Sequence, residues 1–257
     1  MTILNIRNPF GAKIFYEETV ASTMDVSRRL AAEGEPHGTV IAADFQETGR
    51  GRGQDRVWQM NRGENLPFTV FLRYLRIEEI PSALTLRAGL AVSLAIEDFA
   101  PGLKGAVMVK WPNDIMIGCK KNAGILCEAS GGNVHIGIGI NAAQKEFPVY
   151  LREKATSIAL ASGADIALDE RFYLLEKTLA RLYDELNAPQ NITNWKTRLE
   201  QRLYKKGGQV VFVEGEAGSG KEVRGILAGI GESGELLITP DGETQARTFI
   251  TGELLFL

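Results

Sequence analysis

Apolar and polar positions alternate along the first half of the chain in short, strand-length runs broken by two helical patterns. The run AKIFYEETV (12–20) reads as a strand; Ser22 then offers a helix N-cap, with Asp25 three residues on, ahead of the amphipathic VSRRLAAEG, which Gly34 and Pro36 stop. TVIAADF (39–45) and LPFTVFLRYL (66–75) are apolar and β-branched enough for strands, and a long connection lies between them. SALTLRAGLAVSLAIEDFA (82–100) has the length and the alanine and leucine content of a mostly buried helix, closed by Pro101 and Gly102. Three strand patterns follow, AVMVKW, AGILCEAS and NVHIGIGIN, the first two joined through PNDIMIGCKKN. Two more helices, LDERFYLLEKTLARLYDELNA and ITNWKTRLEQRLY, are separated by Pro189. After Lys206 the pattern turns wholly to β: QVVFVEG, EVRGILAGI, ELLIT, ARTFI and ELLFL, punctuated by glycine turns. The expected fold class is α+β: residues 1–206 form helices over a mixed, largely antiparallel sheet, and residues 207–257 form a small all-β domain, a barrel or sandwich.

Composition narrows the function. With 257 residues, 44% hydrophobic and 24% charged, the chain has material for a sizeable core. Its formal charge is -3 and its pI about 5.6, so any cluster of arginines is local, and a domain-scale nucleic-acid footprint is not expected. Cys119 and Cys127 read as buried reduced thiols. Nothing resembles a leader or an uninterrupted membrane-length apolar run, so a cytoplasmic protein without membrane contact is expected. Two histidines, His37 and His135, cannot make a three-histidine metal site, and no G-x-S-x-G elbow is present. GEAGSGKE (215–222) imitates a P-loop but ends in glutamate and lies between two strands, which makes it a hairpin turn.

Four motifs hold candidate chemistry. GRGRGQDRVW (49–58) sets Gly49, Gly51 and Gly53 among Arg50, Arg52 and Arg56. It can be a solvated loop, a nucleic-acid-binding segment, or an anion clamp in which backbone N–H groups and guanidinium forks approach phosphate. KWPND (110–114) closes a strand, turns at Pro112 and Asn113, and gathers a lysine, an amide and a carboxylate; alone it is equally a packed tryptophan with a solvated lysine. KKNAGIL puts Lys120 and Lys121 just before a strand, where a lysine pair is ordinarily a solvated strand end. GIGIN (137–141) leaves one strand face without side chains, the mark of a bulge or of close approach by a ligand or another element.

The order of these motifs, with a Ser-Thr helix start at Ser22 and GENL at 63–66, resembles the biotin protein ligase family, in its monofunctional form without an N-terminal DNA-binding domain. ATSIAL (155–160) and GILAGIGESGELLI with the later GEL extend the resemblance over nearly the whole chain. It implies a biotin/lipoate ligase-like catalytic domain with a small C-terminal SH3-like barrel. The implied reaction is ATP-dependent activation of biotin to biotinyl-5'-AMP, followed by transfer to a lysine of a biotin carboxyl carrier protein. ATP with magnesium and biotin are then substrates, no prosthetic group is tightly bound, and a homodimer stays open. Lys121 matches the lysine that touches the reacting carboxylate and phosphate; Arg50 and Arg52 match the loop arginines that hold the adenylate, Arg52 with a catalytic part. Ser22, Thr23 and Gln46 match positions at the biotin head. Trp58 matches the loop-end tryptophan near the nucleotide, and Asn141 a contact at the nucleotide end. Asp114, with Asn113, organises either magnesium or the substrate head, and Gly124 supplies a close backbone wall.

Three departures accompany the likeness. The loop is one residue longer than the family's usual run, an insertion within 53–55; Met24 stands where asparagine often follows Ser-Thr; and Ala142 and Ala143 follow GIGIN. The stretch before Ser22 is short for a helix-turn-helix domain, so operator binding is not expected. The rival readings are a lipoate ligase or lipoyl transferase, a catalytically silent binder of biotin or nucleotide, and a nucleic-acid module.

Overall fold

The structure is a computed structural model that describes residues 1–53, 57–187, 194–215 and 220–255. Its elements follow the apolar runs. The N-terminal part contains β1 (Thr2–Ile3), β2 (Ile14–Val20), α1 (Thr23–Ala32), β3 (Val40–Gln46), β4 (Asn65–Arg73) and α2 (Leu84–Phe99). Next come β5 (Val107–Lys110), β6 (Asp114–Ile117), β7 (Lys120–Ser130), β8 (Asn133–Asn141), α3 (Ile158–Ser162), α4 (Leu168–Asn187) and α5 (Trp195–Glu200). The chain finishes with β9 (Gln209–Glu214), β10 (Glu222–Ile230), β11 (Leu236–Pro240), β12 (Arg247–Phe249) and β13 (Gly252–Leu255).

Strands β1 to β8 form one sheet in the order β1-β2-β3-β4-β8-β7-β6-β5, antiparallel throughout except for the β2–β3 pair. Successive strand residues face opposite sides, and the sequence uses this strictly. Val40, Ala42, Val70 and Leu72 join the main core with Leu90, Ile96 and Leu174 from α2 and α4. Ile41 and Phe71, one residue out of step, pack instead with Leu30 and Ala31 of α1. One face is therefore filled by α2 and α4, and the other is covered only where α1 lies. The stretch Ile77–Phe99 is long and apolar enough to cross a membrane by length and composition, yet most of it is buried inside this fold.

Two elements depart from expectation. The link PNDIMIGCKKN holds a strand, β6, so the chain returns through two hairpins rather than one connection; Gly118, at φ 60°, makes the second turn. The last helix is short, Trp195–Glu200, because its continuation pairs with β5 instead: Tyr204 donates its backbone N–H to Val109 O at 2.9 Å. Pro189 lies outside the described residues.

The C-terminal β unit is an antiparallel sheet in the order β12-β11-β10-β9-β13. Among the described residues its two end strands do not pair with each other, so the sheet is open and the expected barrel is not closed. Strands β9 and β10 pair antiparallel from Val213 and Glu222 inward, so GEAGSGKE joins a hairpin; its residues 216–219 lie outside the described residues. The unit docks through its core: the Trp111 ring lies 5.9 Å from that of Phe212, and its Nε1 donates to Gly234 O at 3.0 Å.

The two cysteines are unpaired. Burial pushes the Cys127 thiol up to about 11, whereas Cys119 is exposed at the β6–β7 turn, a tight hairpin end that leaves no interior for it.

Candidate active site

The face of the sheet that α1 leaves bare becomes a cleft because of small residues. Across the strands, Asp114 pairs with Gly124, Gly124 with Gly139, and Gly139 with Pro67. Two residues further along β8, about 7 Å away at strand rise, Leu126 pairs with Gly137 and Gly137 with Thr69. The glycines of GIGIN are thus covered by other elements. A Cβ at Gly137 would lie 2.8 Å from Met24 Sδ, and one at Gly139 would lie 2.8 Å from the Trp58 indole. At Gly124 it would meet the same indole at 3.1 Å and Lys121 Nζ at 3.3 Å. The cleft encloses about 510 Å³, counted out to its solvent mouth.

At the first end, α1 begins. Ser22 caps the helix, accepting from Met24 N at 3.3 Å, and lines the cleft. Gln46 Oε1 accepts from Thr23 N at 2.8 Å and from Thr23 Oγ1 at 2.9 Å. Met24, buried at 4% exposure, puts a thioether on this wall.

At the second end stands Lys121. A β-bulge between Ile115 and Met116 pairs Ala123 and Lys121 with successive residues of β6 and skips Asn122. Bulges re-aim side chains; this one helps to set Lys121 at the cleft while Asn122 turns into the interior, donating to Asn141 O at 2.9 Å. The Lys121 backbone is clamped by Lys154 O and Thr156 N. Its Nζ lies 2.5 Å from Asp114 Oδ1 and 5.5 Å from the Trp58 ring centroid. Asn113 lines the wall beside it, its Nδ2 donating to Ile125 O at 2.9 Å.

The glycine and arginine loop crosses above. Trp58 N donates to Gly49 O at 2.9 Å, and Arg50 bridges to Val57, so the two ends of the loop run antiparallel side by side. Arg50 Nη2 lies 2.6 Å from Asp25 Oδ2 in the first turn of α1. Arg52 reaches the other way: its Nη2 donates to Gly252 O in β13 at 2.8 Å, and its guanidinium lies over the Trp111 ring at 5.9 Å. The Trp58 indole N–H is buried and has no hydrogen-bond partner among the described residues. Arg56, and residues 54 and 55 of the stretch that includes the one-residue insertion, lie outside the described residues.

Nine of the residues singled out in the sequence therefore line one cleft: Ser22, Thr23 and Gln46 at one end; Lys121, Asn113 and Gly124 at the other; Arg50, Arg52 and Trp58 from the loop. Asp114 reaches it through Lys121. Asn141 is not brought to it: its Nδ2 donates to Thr156 O at 3.0 Å and its Oδ1 accepts from Asn65 at 2.8 Å, within a buried amide network under the sheet's end. Sequence reasoning missed the wall residues Leu126 and Ile138 as well as Asp25; Leu126 and Ile138 carry no signal beyond core periodicity, and Asp25 stood out only as a capping-box residue.

Among the described residues no three histidine, cysteine, aspartate or glutamate side chains converge as a metal cage. Asp114, the carboxylate beside Lys121, is already engaged by that lysine. One engaged carboxylate does not by itself make a resident divalent-cation site.

Comparison with known proteins points one way. The profile described as "Biotin/lipoate A/B protein ligase family" matches residues 16–143. The chain is 30% identical over 206 residues to the biotin–[acetyl-CoA-carboxylase] ligase of Paracoccus denitrificans, covering 77% of this chain and 82% of that protein. It is 39% identical over 164 residues to the bifunctional ligase/repressor BirA of Bacillus spizizenii, which covers 61% of this chain and 49% of that protein. The chain thus spans about half the length of the Bacillus relatives it matches. Its fold superimposes on the biotin protein ligase of Aquifex aeolicus, solved in complex with biotin and ATP, with TM-score 0.79 and 30% identity over 94% of this chain and 97% of the other.

Proposed function

Because the chain belongs to the biotin/lipoate A/B protein ligase family, we propose that it is a biotin protein ligase, which joins biotin to AMP and then to a lysine of a biotin carboxyl carrier protein. One observation carries the reading: a single cleft is lined both by fixed hydroxyl and amide groups and by a lysine and two loop arginines. A polar ring at one end of a short acyl chain and a carboxylate at the other match that layout. The alternative substrate, lipoate, has an apolar head that would leave the remaining Thr23 lone pair and the Gln46 amide N–H groups unmatched by substrate, at a cost of about 1–3 kcal/mol for a polar group left buried and unpaired.

In the first half-reaction the biotin carboxylate oxygen attacks the α-phosphorus of ATP. A new O–P bond forms, the bond to the bridging oxygen breaks, and pyrophosphate leaves with that electron pair. Two anions must approach each other, so fixed cations are the principal requirement. Lys121 would stand where the carboxylate and phosphate meet, and its contact with Asp114 holds the ammonium in place until they arrive. Arg50 and Arg52 are on the loop that faces the phosphates. Magnesium, arriving with ATP, would supply further charge neutralisation, with Asp114, beside Lys121, a carboxylate available to it.

The product is a mixed anhydride, which water would destroy. Trp58, seated on Gly139 and Gly124, covers the reactive end, and the loop that bears it is tied to both α1 and β13, an arrangement suited to excluding water. In the second half-reaction the carrier's lysine amine attacks the acyl carbon, AMP leaves with the electron pair of the broken C–O bond, and the amine gives up a proton. The unpaired cysteines fit a reducing cytoplasm.

The test is direct. Purified protein is mixed with ATP, magnesium, a carrier domain, and either biotin or lipoate, and the carrier's mass is read. Biotin addition to one lysine is expected; labelling by lipoate alone, or adenylate without carrier labelling, would overturn the proposal.

A further inference from the structure

The polar end of the cleft has a hydrogen-bond direction that follows from heavy atoms alone. A backbone N–H only donates, so the Gln46 atom 2.8 Å from Thr23 N is the amide oxygen. A carbonyl oxygen only accepts, so Thr23 Oγ1, 2.9 Å from that same oxygen, commits its single proton to Gln46. Thr69 Oγ1 lies 2.9 Å from Thr23 Oγ1 and must then be the donor of that bond. The chain runs one way, Thr69 to Thr23 to Gln46. It leaves the cleft one lone pair on Thr23 and the two N–H groups of Gln46 Nε2.

Thr69 itself is fully buried in β4, opposite Gly137, and is not part of the cleft wall. We propose that Thr69 is a positioning residue for recognition of the substrate head, acting through Thr23. With the Thr69 proton delivered to Thr23 Oγ1, the Thr23 hydroxyl is held with its hydrogen on Gln46 and its remaining lone pair toward the cleft. That end of the site then accepts an N–H and donates to a carbonyl, the pattern along one edge of a ring urea. Without the Thr69 donor, the Thr23 hydroxyl can swing its hydrogen into the cleft, where it opposes a substrate N–H donor to donor. Gln46 Oε1 would at the same time lose one of its two partners, loosening the amide whose Nε2 faces the substrate. The inference rests on the biotin reading above and adds to it the residue that fixes the polarity of the head site.

The experiment compares wild-type protein with Thr69→Val, nearly isosteric but without the hydroxyl, and Thr69→Ser, which retains it. Adenylate formation is followed with biotin and, by competition, with biotin methylated on both ring nitrogens; thermal melts report folding. Thr69→Val should raise the KM for biotin about five- to tenfold with kcat within about twofold of wild type, and Thr69→Ser should restore it. The preference for biotin over the methylated analogue should narrow by the same factor in Thr69→Val, because the analogue has no N–H to lose. An unchanged biotin KM in Thr69→Val, an equal loss on both ligands, or a Ser variant as impaired as Val overturns the role of Thr69 and leaves the biotin reading intact. Wild-type protein that makes no biotinyl adenylate overturns the reading itself, before any variant is compared.

Discussion

Lys121 Nζ and Asp114 Oδ1 stand 2.5 Å apart, and each belongs to a different arm of the same antiparallel hairpin. The pair gives the cleft a charged ammonium in a fixed place, and the bulge that skips Asn122 is what brings the lysine round. Replacing Lys121 by Met keeps most of its apolar stem and removes the charge. Pyrophosphate release should fall by roughly 10²–10³, with the melting temperature near that of the wild type. A variant that keeps near-full rate would remove Lys121 from the chemistry.

Gly139 is the seat of Trp58. A methyl group there would come within 2.8 Å of the indole, and the floor beneath it is a central strand that cannot yield. Gly139→Ala should therefore push Trp58 toward solvent, red-shift the tryptophan emission, and speed hydrolysis of the adenylate more than it slows its formation. Adenylate lifetime in the absence of carrier is the quantity to measure; an unchanged lifetime would show that Trp58 does not shield it.

Arg52 connects the loop to the C-terminal sheet through Gly252 O while lying over Trp111. Lysine in its place keeps the charge but not the planar fork or the stacking face. In Arg52→Lys the KM for ATP is expected to rise roughly tenfold, and limited proteolysis should cut the loop more readily. If the loop's cleavage rate does not move, the tie to β13 is not what holds it.

His135 offers a pH test away from the cleft. Its Nδ1 lies 2.8 Å from Ser27 Oγ, between α1 and β8, with the Phe71 ring beside it and Arg28 and Glu128 nearby. Burial, reinforced by the Arg28 charge, holds the imidazole below its ordinary 6.5, Glu128 opposing only in part. The unfolded chain takes up a proton as pH falls through 6.5, while the folded chain does so only lower down, so stability is complete above 6.5 and declines below it. Urea midpoints between about pH 7.5 and about pH 5.5 should fall in the wild type and flatten in His135→Gln. Equal slopes for the two proteins would assign the pH dependence elsewhere.

Much of this architecture was legible because periodicity reports faces. The runs around Val40 and Ile41, and Val70 and Phe71, are apolar throughout, which marks strands buried on both faces; the one-residue offset that separates the two cores emerges only in the fold. The order of motifs gave most of the cleft. What periodicity cannot show is register. β6 was hidden because four residues, DIMI, are too few to display a pattern. The bulge at Asn122 has no compositional mark, and neither does the diversion of Asn141 into an amide network, since an asparagine that contacts a ligand and one that braces a loop look the same in a string of letters. The strand pattern left barrel or sandwich open and the resemblance implied the barrel, because strand count does not specify whether the first and last strands meet.

The bond from Arg52 to Gly252 spans 200 residues of sequence. Synthesis is vectorial and N-terminal elements fold first, so the cleft, α1 and the whole eight-stranded sheet can exist on the ribosome before the carbonyl that holds the loop has been made. A nascent chain would expose its substrate site with the loop untethered on that side. On the proposed function, chains broken off before that strand would lack the β13 tie of the loop that carries Trp58.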